Sequence, residues 1–160
     1  MDEQQAEHLS RVRHLREAFV AANEHLVARL REATRSWTQD ALGRGVELGV
    51  VRGDLPLPLL ADSFVERPWA TIAAGIPDKL EAATAATPPA RVTRHDAIAS
   101  LEASALKIAR AFDSLTPERG GRTGITNPVV GTISLYQVGE WAAAHVHRHD
   151  RQIERALAPR

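Results

Sequence analysis

The sequence of 160 residues contains no cysteine. Disulfide bonds, thiolate catalysis and cysteine-based zinc sites are therefore excluded, and any metal site has to use histidine, aspartate or glutamate. Neither sign of charge is in excess, because 20 Lys and Arg residues balance 20 Asp and Glu residues. The basic residues are scattered and form no cluster that would follow a phosphate backbone, so we expect no direct contact with nucleic acid.

Long hydrophobic runs are also absent, and none approaches the roughly 20 residues that a membrane-spanning helix needs. The first residues, MDEQQAEH, lack the charged and apolar regions of a signal peptide. We therefore expect a cytoplasmic protein that does not bind a membrane. With 44% hydrophobic residues, the chain can bury one core but is too short for two typical domains, so we expect a single helical domain over residues 1–160.

Apolar residues at steps of three and four predict helices in the first part of the chain. The first helix is expected over about residues 3–42. A second helix is expected to enter at residues 55–64, with Asp54 as its cap. Pro68 and Pro77 should kink or split this second helix, because each proline removes a backbone donor and crowds the preceding turn.

Two capping patterns mark the starts of the remaining helices. Thr93 is followed three residues later by Asp96, and Ser134 by Gln137, which are spacings typical of a capping box. Residues 116–131 lie between these helices and are rich in glycine and proline, so they predict a long polar loop of the kind that often borders a binding site. Together the segments predict an all-α fold, a four-helix bundle of the up-down type.

The last predicted helix carries three histidines, His145, His147 and His149. At about 100° per residue, the first and third point toward the core and His147 points away from it. Two imidazoles four residues apart share one helix face and can bind one ion. The other interpretation is a pair of core histidines that hydrogen-bond to neighbouring groups, and the spacing alone leaves both interpretations open.

A metal site that keeps one position for water needs a third protein ligand. His8 is the best candidate, because it lies on the apolar stripe of the first predicted helix. Asp62 and Glu66 are four residues apart and could supply a carboxylate instead, although an exposed acidic face explains that pair more simply. The expected cofactor is a divalent ion, Zn, Ni or Fe.

From about residue 91 to 158 the chain resembles the DinB-like superfamily of metal-binding four-helix bundles. The motif that carries this resemblance is His145-Val-His-Arg-His149-Asp-Arg-Gln152-Ile153, preceded by Pro128-Val-Val-Gly-Thr-Ile-Ser-Leu. The resemblance implies a metal-dependent hydrolase or thiol transferase that acts on a small-molecule substrate. It also implies a third histidine from the second helix. No histidine occurs between residues 26 and 94, so His8 or a carboxylate would have to replace it, or the site has been lost.

The first half of the chain, about residues 1–85, resembles a different family. Gly43-Arg-Gly-Val-Glu-Leu-Gly-Val-Val-Arg-Gly-Asp-Leu-Pro56, followed by Leu59-Leu-Ala, is similar to the ligand-binding domain of TetR-type transcription regulators. The helix-turn-helix that normally precedes that domain does not occur in this sequence. This resemblance implies a non-catalytic module for small-ligand binding and dimerisation, with a homodimer as its assembly. The two resemblances agree on helices and differ on function.

Overall fold

The computed structural model describes residues 2–32, 58–77 and 93–158. In these ranges the protein is mostly helical, and none of the helices there is long and apolar enough to cross a membrane. The long helices are α1 (Glu3–Glu32), α3 (Arg94–Asp113) and α5 (Leu135–Leu157). Two short helices, α2 (Trp69–Ala74) and α4 (Pro117–Arg122), and two antiparallel strands, β1 (Gly124–Asn127) and β2 (Gly131–Ser134), lie between them.

Helix α1 packs against both α3 and α5, and the three long helices enclose the larger apolar core. Side-chain pairs join α1 to α3 in opposite chain order and α1 to α5 in the same chain order, so α1 is antiparallel to α3 and parallel to α5. These pairs are Arg16–Asp113 and Arg31–Glu102 for α3, and His8–Tyr136 and Arg29–Asp150 for α5. Fully buried core residues include Phe19, Leu26, Leu30, Leu101 and Val146, and each contributes about 2 kcal/mol by leaving water.

A smaller apolar cluster lies on another face of α5. Its buried members come from α2, the strand region and the start of α5: Ile72, Val130, Ile133, Leu135 and Val138. Trp69 and Trp141 pack against this cluster. Helix α5 is therefore covered on one side by α1 and α3 and on another by α2 and the two strands.

The predicted starts of α3 and α5 are confirmed. The hydroxyl of Thr93 accepts a hydrogen bond from the backbone N–H of Asp96 at 3.1 Å, and the same hydroxyl donates to the Asp96 carboxylate at 2.7 Å. At α5 both halves of the capping box are present: the Ser134 hydroxyl accepts from the N–H of Gln137, and the Gln137 amide oxygen accepts from the N–H of Ser134. These contacts satisfy backbone donors that each helix start would otherwise leave unpaired.

Residues 116–131 are not the single polar loop that the sequence predicted. Thr116 caps the short helix α4 by accepting from the N–H of Arg119. The two strands then form a hairpin, whose turn is closed by a hydrogen bond from the N–H of Val129 to the Asn127 side chain at 2.8 Å. Gly131 adopts a positive φ of 75° there, a conformation that residues with a side chain rarely take.

The second predicted helix is also different. Residues 58–68 are not helical, and a helix begins only after Pro68. Leu59 pairs instead with Thr123 beside the hairpin, and the N–H of Leu60 donates to the carbonyl of Arg122 at 2.9 Å, so the backbone here is bonded to the end of α4 and not within a helix. Asp54, residues 55–57 and the predicted continuation of the first helix over residues 33–42 lie outside the described residues.

Candidate metal site

The structure brings His145 and His149 together on α5. Their Nε2 atoms are 2.8 Å apart. The two ring centroids are 4.4 Å apart and the ring planes are nearly perpendicular, at 84°. Because residues four apart occupy successive turns of one helix face, the helix itself accounts for this approach. The same nitrogen of each ring therefore faces the other ring.

Both rings lie where water is scarce. His149 is only 7% exposed, and His145 is half-buried. Burial, together with the neighbouring His149 and Arg148, lowers the pKa of His145 from 6.5 to about 4. Burial also lowers the pKa of His149, although its contact with Gln152 acts in the opposite direction. Both imidazoles are therefore neutral near pH 7, which is the form that binds metal ions.

Gln152 holds the outer edge of the His149 ring. Its Oε1 atom lies 2.8 Å from Nδ1 of His149. An amide oxygen only accepts hydrogen bonds, so Nδ1 of His149 is the donor. Gln152 itself is exposed. Its hydrogen bond therefore orients the His149 ring, while the Gln152 side chain is not part of the buried core.

His147 lies between the pair in sequence and is exposed. The helical period predicted this outward position. It makes His147 a matched reference for the pair, with the same side chain on the same helix but on the opposite face.

Asp150 fastens the carboxyl-terminal half of α5 to α1. Its carboxylate, which is buried, accepts from Nε and Nη2 of Arg29 at 2.5 and 3.3 Å and lies 3.2 Å from Nδ1 of His25. Asp150 is not among the site residues that the sequence predicts. Adjacent residues of an α-helix point about 100° apart, so Asp150 faces a different side from His149, and that side is the one toward α1. Its place next to His149 is the sequence feature that could have indicated it.

The structure does not bring His8 to the pair. His8 is 6% exposed, but its Nδ1 atom lies 2.6 Å from the hydroxyl of Tyr136. Tyr136 belongs to the first turn of α5, nine residues before His145, which corresponds to about 13 Å along the helix axis. His8 is buried, as its place on the apolar stripe of α1 predicts. Its observed hydrogen-bond partner is the hydroxyl of Tyr136.

His8 belongs to a separate group of polar side chains, which we call the Tyr136 cluster: His8, Arg11, Glu66, Tyr136 and Glu140. The guanidinium of Arg11 lies 4.2 Å from the centroid of the Tyr136 ring and 2.7 Å from the Glu66 carboxylate. Glu66 also accepts a hydrogen bond from the Ser134 hydroxyl. Burial raises the pKa values of Tyr136 and Glu140. Asp62 and Glu66 are the two predicted alternatives to His8 as third ligand. Glu66 is bound to Arg11 and Ser134 in the Tyr136 cluster, and Asp62 is exposed.

Among residues 2–32, 58–77 and 93–158, no three His, Asp or Glu side chains are grouped closely enough to hold a metal ion. The histidine pair is therefore a two-donor site within those ranges. The chain matches no protein-family model, no curated protein and no solved structure.

Proposed function

We propose that the protein is a divalent-metal-binding protein of the DinB-like kind, a four-helix bundle in which His145 and His149, together with an unidentified third ligand, hold the ion. The observation that carries this proposal is the 2.8 Å separation of their Nε2 atoms. Two nitrogens that bind one tetrahedral zinc ion at about 2.05 Å are about 3.3 Å apart. The observed separation is about 0.5 Å shorter, so the two rings would turn apart by that amount to hold one ion.

The donor set also fits such an ion chemically. Neutral imidazole nitrogens suit zinc, nickel and iron, and burial keeps both rings neutral. His145 and His149 would bind the ion, and the contact between Asp150 and Arg29 would hold their part of α5 in place. A bound ion of this kind polarises a substrate oxygen or sulfur, or lowers the pKa of a bound water molecule. A metal-dependent hydrolase or thiol transferase with a small-molecule substrate is the corresponding activity.

Zinc titration of the purified 160-residue chain tests this proposal. We expect the wild-type protein to bind one equivalent, and His145→Ala and His149→Ala each to weaken binding by at least about tenfold. His147→Ala is the matched control and should bind as the wild type does. Equal zinc binding by the wild type and both pair variants would show that the pair is not the ligand set.

The competing hypothesis is a metal-free module for small-ligand binding and dimerisation, related to the TetR-type regulators. One observation favours it: the two rings hydrogen-bond to each other and His149 also bonds to Gln152, so both rings have a polar partner without an ion. This hypothesis predicts a dimer whose thermal midpoint does not change on chelation. The metal proposal predicts that zinc raises the midpoint and chelation lowers it, since a ligand that binds only the folded state stabilises it by mass action.

A further inference from the structure

The two imidazoles of the pair have unequal hydrogen-bond partners. His149 has the Gln152 amide at Nδ1 and His145 at Nε2, whereas His145 is joined to the pair through Nε2 alone. Because Nδ1 of a neutral His149 carries the proton that Gln152 accepts, its Nε2 atom carries a lone pair. A lone pair can only accept, so Nε2 of His145 has to be the donor. The hydrogen bonds therefore run in one direction, from His145 to His149 to Gln152.

We propose that Gln152 is a positioning residue that presets His149 as the first metal ligand, and that His145 becomes the second ligand by exchanging its tautomer. This inference rests on the proposed function. When an ion binds, the N–H bond at Nε2 of His145 breaks and an N–H bond forms at its Nδ1 atom, by exchange with water. His145 remains neutral, so this step releases no net proton. The hydrogen bond between the two rings would then open, and Nε2 of His145 and Nε2 of His149 would hold the ion.

Gln152 is suited to this role by its position. It lies three residues after His149, on the same face of α5 and near the outer edge of that ring. Since its side chain is exposed, replacing it removes a hydrogen bond to the ring without opening a cavity in the core. A polar acceptor on the far nitrogen of a metal-binding histidine fixes both the tautomer and the ring orientation, and its loss typically weakens metal binding by about 10- to 100-fold.

The first measurement uses the metal-free 160-residue chain with ¹⁵N-labelled histidine, near neutral pH and with a chelator present. The ¹⁵N shifts of each ring report which nitrogen carries the proton, and His145→Gln and His149→Gln assign the signals. We expect the proton of His149 on Nδ1 and that of His145 on Nε2. In Gln152→Leu both rings should become tautomer mixtures. In Gln152→Glu the wild-type tautomers should return, because a carboxylate also accepts.

The second measurement adds zinc to the same samples. We expect the His145 proton to move to Nδ1 in the wild type, and zinc affinity to fall by about 10- to 100-fold in Gln152→Leu but not in Gln152→Glu. Arg151→Leu is the matched control, since Arg151 is an exposed neighbour on the same turn, and it should behave as the wild type does.

The outcomes separate this inference from the proposed function. Opposite tautomers in the metal-free protein, or zinc affinity unchanged in Gln152→Leu, would overturn the role of Gln152 while leaving metal binding by the pair intact. The expected tautomers without any zinc binding by the wild type would overturn the proposed function, and with it the role of Gln152 in ligation.

Discussion

The histidine pair and the Tyr136 cluster both hold imidazoles in water-poor surroundings, but their partners differ. In the cluster, His8 of α1 meets the hydroxyl of Tyr136 on α5, and Arg11 neutralises the Glu66 carboxylate. In the pair, the hydrogen bonds of both rings come from α5 itself, and among the residues that the structure describes no carboxylate is hydrogen-bonded to them. The cluster therefore stabilises the packing of separate elements. Within residues 2–32, 58–77 and 93–158, the hydrogen bonds of the pair stay inside α5 and link it to no other element.

The largest predicted effect is a loss of stability from a substitution in α4 that disturbs the packing of the Tyr136 ring. A Cβ atom at Gly120 would lie 2.2 Å from the Tyr136 ring, whereas one at Gly121 would lie 3.8 Å away. The Arg11 guanidinium lies 4.2 Å from the centroid of the same ring, so a shift of the ring would also disturb this contact. We expect Gly120→Ala to lower the free energy of unfolding by about 3 kcal/mol, at the upper end for an overpacked site, as measured by urea denaturation.

Gly121→Ala is the control for that experiment. Its added methyl group would be in ordinary contact distance, so stability should stay the same or rise slightly, since alanine is the better helix former. Equal stability of the two variants would mean that the Tyr136 ring does not lie against α4.

The next effect concerns the pair and depends on pH. The folded-state pKa of His145 is about 4, below its ordinary value of 6.5. Between these values the unfolded chain binds the additional proton, so stability falls as the pH drops from about 6.5 to 4 and this contribution does not change further below that. The free energy of unfolding falls by at most about 3 kcal/mol, since a shift of one pKa unit corresponds to about 1.4 kcal/mol. Water that reaches the half-buried ring makes this loss smaller.

His145→Gln should flatten this dependence. The measurement is the difference between the unfolding free energies of the variant and the wild type over that pH range, because other groups titrate in both proteins and cancel in the difference. His147→Gln should keep the wild-type slope. A pH-independent difference for His145→Gln would show that His145 is not held in its neutral form by the fold.

The sequence predicted those features that depend on one stretch of chain. His145 and His149 share a face and His147 does not, because positions on a single helix are fixed by its period. The capping contacts of Thr93 and Ser134 are equally local. These residues and the predominance of helix could be identified without knowing how the helices pack.

The partner of His8 could not be identified in this way. His8 and Tyr136 are 128 residues apart in the chain, and the apolar stripe of α1 predicts which side of the helix is buried but not which turn of α5 it meets. The hairpin was missed for a different reason. Its strands have four residues each, which is too short for an alternating pattern to stand out beside the surrounding glycines.

The smallest effect tests whether the two regions are independent. His8→Leu should lower the free energy of unfolding by about 1–2 kcal/mol, because it leaves the buried hydroxyl of Tyr136 without its partner. Zinc affinity should be unchanged, since His8 contacts the first turn of α5 and the pair lies about 13 Å further along it. His95→Leu, at an exposed histidine of α3, controls for the loss of an imidazole. A marked loss of zinc binding in His8→Leu alone would instead support His8 as the third ligand, as its place on the apolar stripe of α1 predicts.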